Sequence, residues 1–257
     1  MTNQEALQKA YQLLSPFSDK QRWEFNNNLV HLKYITKYIP QSTFILDVGC
    51  GIGILDLALV LLGYNVKGID RYLFEDNNSF TIQDIDGLRS MWQSYNLEIN
   101  SKDILRDEIN ETYDSIISIA TIEHQKDPRQ FLSKMISMLN PCGLLYVATP
   151  NISHLLNRMR FLFGLSPMSG HLDEWFEKGE NYEGHWREYT LDELQKMFSC
   201  LDMLVLKAHN KQSMLPKFKF MSVRSCYVSM FRFLSYMLPG AKDTNIIIGQ
   251  KKYHHGT

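Results

Sequence analysis

Apolar positions change their period along this chain, and each change marks an element. Near the N-terminus Leu7, Ala10, Tyr11 and Leu14 recur at helical spacing, as do Leu29, Leu32, Ile35 and Ile39. That predicts helices between about Asn3 and Ile39, punctuated by Pro16 and Pro40. Phe44, Ile45, Leu46 and Val48 then form a short run that suits a buried strand. Ile54 to Leu62 is almost continuously apolar and reads as a buried helix, with Gly63 at its C-terminal cap. Val66 to Ile69 predicts a second strand. Leu88, Met91 and Trp92 share a helical face, and Leu97 to Ile99 suits a third strand. Tyr113 to Ala120 is a fourth. Pro128 opens a helix with Phe131, Met135 and Leu139 on its apolar face. Gly143 to Ala148 is a fifth strand, and Leu201 to Ala208 and Asn245 to Gly249 supply two more. Strands alternating with helices predict an α/β, doubly wound, mostly parallel sheet covered on both faces.

The first strand leads into Asp47-Val48-Gly49-Cys50-Gly51-Ile52-Gly53, and the second strand ends at Asp70. Glycine lets a turn take positive φ and lets a ligand touch the backbone. In such sheets ligands sit beyond the carboxyl ends of the strands. A nucleoside-containing cofactor is therefore expected, with Asp70 accepting from ribose hydroxyls. The dinucleotide fingerprint needs a third glycine where this chain has Ile54. Asp47 would repel a pyrophosphate but suits an ammonium group. Both features favour S-adenosylmethionine over NAD.

The stretch ILDVGCGIG resembles the first motif of the class I S-adenosylmethionine-dependent methyltransferases. The resemblance extends over roughly Phe44 to Phe198 and the last strand. It implies a Rossmann-like seven-stranded sheet whose last two strands form a hairpin-like end with one antiparallel strand. It implies S-adenosyl-L-methionine as cofactor and S-adenosyl-L-homocysteine as product, held by Asp47, Gly49, Cys50, Gly51 and Asp70. In SKDIL, Asp103 would receive the adenine amino group and the Ile104 amide would meet a ring nitrogen. A cap or a solvated loop acid is the alternative for Asp103. YDSIISIATIEHQKDP resembles the fourth-strand motif, in which the residues from Ala120 onward line the methionine end. Arg71 stands where an apolar residue is usual. It either stacks on the adenine or faces solvent while Tyr72 or Leu73 packs there.

GHWREYTLDELQKMF resembles a stretch found in small-molecule methyltransferases acting on quinones and sugars. Thr190 and Glu193 are explained by a capping box, but His185 and Arg187 are not. Methyl transfer to a hydroxyl needs an aligned nucleophile and a base, and His124, His171 and His185 are the candidates. His124 also reads as a histidine bonded to backbone that shapes its loop, and His171 and His185 as surface loop residues. Glu123 with His124, or His185 with Glu188, offers two metal ligands, too few for a closed site, so no required metal is expected.

Net charge is −1 over 257 residues, which argues against a nucleic-acid partner. Cys50, Cys142, Cys200 and Cys226 are scattered and suit a reducing cytoplasm. The N-terminus lacks the pattern of a signal peptide, and no apolar run is long enough to cross a bilayer. The expected organisation is a helical segment, 1–43, before a core, 44–257. The core carries a lid at about 151–190, rich in Leu155, Leu156, Phe161, Phe163, Trp175 and Phe176, and a basic aromatic insertion at about 211–243. Lys217 to Leu238 reads as a buried accessory helix, a peripheral contact at the inner membrane face, a cover over a hydrophobic acceptor or a homodimer contact. The tail resembles that of methyltransferases from bacterial surface-polysaccharide pathways. The expected function is methyl transfer to a small molecule or glycan precursor, at oxygen. The rivals are a quinone- or lipid-directed enzyme, a non-catalytic S-adenosylmethionine-binding module and an NAD-dependent oxidoreductase.

Overall fold

The structure is a computed structural model, and it describes residues 1–17, 24–71, 84–168, 172–213 and 233–253. Tyr72, Leu73, His171 and most of the basic aromatic insertion lie outside the described residues. Seven strands form one sheet: β1 (Phe44–Val48), β2 (Asn65–Ile69), β3 (Glu98–Asn100), β4 (Tyr113–Ile119), β5 (Leu139–Pro150), β6 (Met203–Lys211) and β7 (Thr244–Lys251). Their order is β3-β2-β1-β4-β5-β7-β6. β1 pairs in parallel with both β2 and β4, while β7 runs antiparallel to β5 and β6. The expected architecture is present, with the single antiparallel strand at β7. Strand order reverses between β1 and β4, which opens a crevice at their carboxyl ends.

The pleat sorts the core into two layers. Ile45, Ile117, Tyr146, Ile246 and Ile248 pack against α1 (Asn3–Leu14), α2 (Phe25–Tyr38) and α3 (Ile54–Leu61). Leu46, Val48, Ile116, Leu145 and Ile247 face the other way, toward α5 (Pro128–Ser137) and α8 (Leu191–Cys200). Helix α4 (Ile85–Ser94) seats Leu88 and Trp92 in the first layer. Successive strand residues point to opposite faces, so Asp47 shares the side of Ile45 and is aimed at the start of α3.

A buried polar pair ties α2 to the sheet. His31 Nδ1 lies 2.8 Å from the Tyr146 hydroxyl and Nε2 3.1 Å from Asn27 Oδ1. The asparagine oxygen can only accept, so Nε2 carries the hydrogen and Nδ1 accepts from the tyrosine. Burial holds His31 down at about 4, against an ordinary 6.5. The unfolded chain takes up the proton first, so this contribution is full above pH 6.5 and is lost as pH falls toward 4. The loss is about 3 kcal/mol at the acid end. Urea midpoints at pH 7 and pH 4.5 should show the gap between wild type and His31→Gln narrowing with acid. A gap independent of pH would contradict this.

One expectation changes. Leu139, expected on the apolar face of α5, opens strand β5 ahead of the expected Gly143, and Asn140 to Gly143 form an irregularity within it. Pairing with β4 jumps there from Tyr113↔Leu139 to Ser115↔Leu144, and Cys142 takes a φ of 62°. The segment expected as a lid carries α6 (Leu155–Leu162) and α7 (Leu172–Lys178). Helix α6 buries Leu155 and Asn157, and α7 buries nothing. Phe161, Phe163 and Phe176 stand 72%, 78% and 81% exposed. Among the described residues, no helix is long and apolar enough to cross a membrane.

Candidate active site

The glycine turn is fastened from three sides. Gly49, Gly51 and Gly53 have φ of 83°, 56° and 75°. The amides of Gly49 and Cys50 donate to the Ile69 carbonyl at the end of β2, at 2.8 and 3.2 Å. The Gly51 amide donates to Asp70 Oδ2 at 2.9 Å. Thr121, just past β4, donates to the Val48 carbonyl at 3.2 Å. A Cβ on Gly49 would stand 2.3 Å from Thr121 Oγ1. Gly49→Ala must therefore hold a side chain in left-handed backbone and displace Thr121. We expect a loss of roughly 2 kcal/mol, read as a lower thermal midpoint. An unchanged midpoint would show that the turn yields easily.

Three acids crowd beneath this turn. Asp47 and Asp70, the two acids expected to hold the cofactor, are buried, and so is Asp56 in the first turn of α3. Burial and the neighbouring Asp56 and Asp70 raise Asp47 well above the carboxylate range. Burial pushes Asp56 up to about 7. The Cys50 thiol is pushed up by burial and by the same acids. Sequence reading missed Asp56, because one acid in ILDLALVLL looks like an ordinary first-turn helix residue.

Asp103 is engaged locally. Its Oδ1 accepts from the Leu105 amide at 2.8 Å, and Arg71 and Arg106 lie 3.6 and 3.5 Å from Oδ2. The Ile104 side chain is buried in the second core layer. Arg71 spans from Asp103, 3.6 Å away, to Glu183, 3.2 Å away. Arg71, Ser101, Lys102 and Asp103 line a shallow cleft of about 230 Å³ at the ends of β2 and β3.

On the other side of the turn, Ala120 follows β4 with a φ of 54°. A non-glycine residue in that conformation is strained by about 1–2 kcal/mol. It is exposed at the mouth of the crevice. Glu123, His124 and His185 converge just beyond. The His124 and His185 rings meet edge to face, with centroids 4.8 Å apart. His124 Nδ1 lies 2.8 Å from the Glu183 carbonyl, so Nδ1 carries the hydrogen. His185 Nδ1 lies 3.0 Å from Glu188 Oε1. That bond raises His185 above its ordinary range, and burial works against it. Glu123 is fully buried and takes a Thr149 hydroxyl at 2.8 Å, while its other oxygen lacks a partner. Burial raises Glu123 to about 7. The backbone of Trp186 returns to the Glu123 carbonyl at 2.8 Å, which fastens the stretch around Trp186 to this loop. One ligand atom from each of Glu123, His124 and His185 lies within 4.8 Å of the others. Folding therefore brings a third group that could ligate a metal beside the two that the linear reading found.

A profile of the methyltransferase domain matches residues 5–202. This chain belongs to the class I S-adenosylmethionine-dependent methyltransferases. It is 28% identical over 168 residues to the ubiquinone biosynthesis O-methyltransferase of Coxiella burnetii, covering 59% of this chain and 69% of that protein. To the mitochondrial enzyme of that name from Dictyostelium discoideum it is 26% identical over 200 residues, covering 72% and 61%. In fold it is similar to phosphoethanolamine N-methyltransferase 2 of Haemonchus contortus, solved with S-adenosyl-L-methionine. The TM-score is 0.59 at 17% identity, covering 98% of this chain and 58% of that one. Magnesium protoporphyrin IX methyltransferase from Synechocystis, with bound S-adenosylhomocysteine, gives 0.53 at 10% identity, covering 96% and 94%. The methyltransferase uses S-adenosylmethionine as donor, and the NAD-dependent reading is set aside. The turn fits this donor: Gly49 has no room for a side chain, and both oxygens of the buried Asp56 beneath it lack a hydrogen-bond partner.

Proposed function

We propose that this methyltransferase acts at a hydroxyl oxygen of a small molecule or glycan precursor, with His185 as general base. The observation that carries the proposal is the Glu188–His185 pair at the crevice mouth. A carboxylate that holds the Nδ1 hydrogen leaves Nε2 as the basic nitrogen and fixes its direction. His124, whose Nδ1 is tied to the Glu183 carbonyl, positions the loop around it. The donor supplies a methyl group on a sulfonium. In this reading Asp70 holds the ribose hydroxyls and Asp47 faces the amino end. Gly49, Cys50 and Gly51 carry the backbone against the donor. Ala120 lines the methionine end, and Asp103 and the Ile104 amide hold the adenine, for which Asp103 must give up part of its hold on Arg71. The protein otherwise aligns the acceptor oxygen behind the methyl group and removes its proton.

A quinone or lipid acceptor is the second reading. It is supported by the exposed apolar side chains of α6 and α7 beside the mouth and by the activity named for the ubiquinone relatives. S-Adenosylhomocysteine release should be measured with a polyprenylated catechol, a simple catechol, a sugar nucleotide and a primary amine. Turnover confined to an amine acceptor would overturn the oxygen assignment, and turnover confined to the polyprenylated catechol would select the second reading.

We propose further that no metal is required, although Glu123, His124 and His185 could hold a divalent cation with a fourth position open. Dialysis against EDTA should leave turnover within about twofold. A loss restored by magnesium or zinc would assign the cluster to a metal instead.

A further inference from the structure

Asp56 sits in a recess shaped by glycines. A Cβ on Gly68 would stand 2.9 Å from Asp56 Oδ2, and one on Gly53 would stand 3.4 Å away. The carboxyl is fully buried, and neither oxygen has a hydrogen-bond partner. A leucine would serve an apolar helix better, so burying an acid here costs stability. The groups facing it are Asp47 from β1, Cys50 from the turn and, next to Asp47, Asp70 beyond β2. Ile99 of β3 adds only hydrocarbon to this recess. Among the described residues, no lysine, arginine or histidine acts on the pair.

Two carboxylates in contact have no hydrogen to share unless one is protonated. We infer that Asp47 and Asp56 hold one proton between them and release it when the ammonium group of an amino-acid-bearing nucleoside docks at the turn. The O–H bond opens, the proton passes to solvent, and the incoming cation replaces it as the countercharge. The proton supplies the donor that Asp56 lacks. Burial raises Asp56 to about 7, so the proton is still held near neutrality. Asp56 is thus a positioning residue: it keeps Asp47 neutral until a cation arrives. The inference rests on the proposed placement of the donor's amino end at Asp47.

Calorimetry of S-adenosylhomocysteine binding, in buffers of different ionisation enthalpy, tests it without turnover. Wild type should release close to one proton at about pH 6.5, with affinity rising nearly tenfold per unit from about pH 5 to 7. Asp56→Asn, whose amide can still donate to Asp47, should bind with no proton release and no such slope. 5′-Methylthioadenosine, which lacks the ammonium group, should bind wild type without proton exchange. That comparison decides the matter even where Asp56→Asn does not fold. Equal proton release by the variant, or by methylthioadenosine, overturns the inference. Binding of S-adenosylhomocysteine with no proton release also overturns it while leaving the donor site standing. No binding at all would bring down the donor-site reading itself.

Discussion

Asp70→Ala is expected to weaken S-adenosylhomocysteine binding by roughly two orders of magnitude, the equivalent of about 3 kcal/mol for its two proposed charge-assisted hydrogen bonds to ribose. The carboxylate is already oriented, because Oδ2 takes the Gly51 amide at 2.9 Å. That bond costs the variant some order in the turn as well as its contacts to the sugar. Asp70→Asn separates the two contributions. The amide keeps one oxygen for Gly51 and loses charge toward the hydroxyls, so its loss should be intermediate. Calorimetry beside NADH gives the comparison, and NADH should not bind either protein measurably. Binding within threefold of wild type in Asp70→Ala would place the ribose elsewhere.

The second large effect is at the acceptor end. His185→Ala should lower kcat by about 10²–10³-fold, the range of a removed general base, with the affinity for S-adenosylhomocysteine unchanged. Glu188→Gln should cost about tenfold, because the amide can still accept from Nδ1 but no longer stabilises the charged ring. His124→Ala tests the loop role: it should raise KM more than it lowers kcat. If His124→Ala carries the larger fall in kcat, the two histidines exchange parts.

Much of this arrangement was legible before folding. The glycine turn, Asp47 and Asp70 lie within one strand–turn–helix–strand unit, so local chemistry places them together. The capping box of Thr190 and Glu193 is local in the same way and is present as expected. What was hidden depends on distant pairings. Arg71 meets Glu183, 112 residues away, and no local pattern announces that. Glu123 and His185 come together because the Trp186 backbone pairs with the Glu123 carbonyl. Asp56 was masked by the apolar run around it. The aromatic residues of α6 and α7 stand exposed, which their apolar character alone did not announce.

The link from Arg71 to Glu183 also carries a consequence for handling the protein. Its two side chains are 41% and 51% exposed, so the pair holds the stretch around Glu183 to the β2 edge with less than about 1 kcal/mol. Such a bond is screened within one Debye length at ordinary ionic strength. Glu183 also anchors His124 through its carbonyl. Raising the ionic strength therefore weakens this tie and leaves the Trp186–Glu123 backbone bond as the neutral one holding the same stretch of chain.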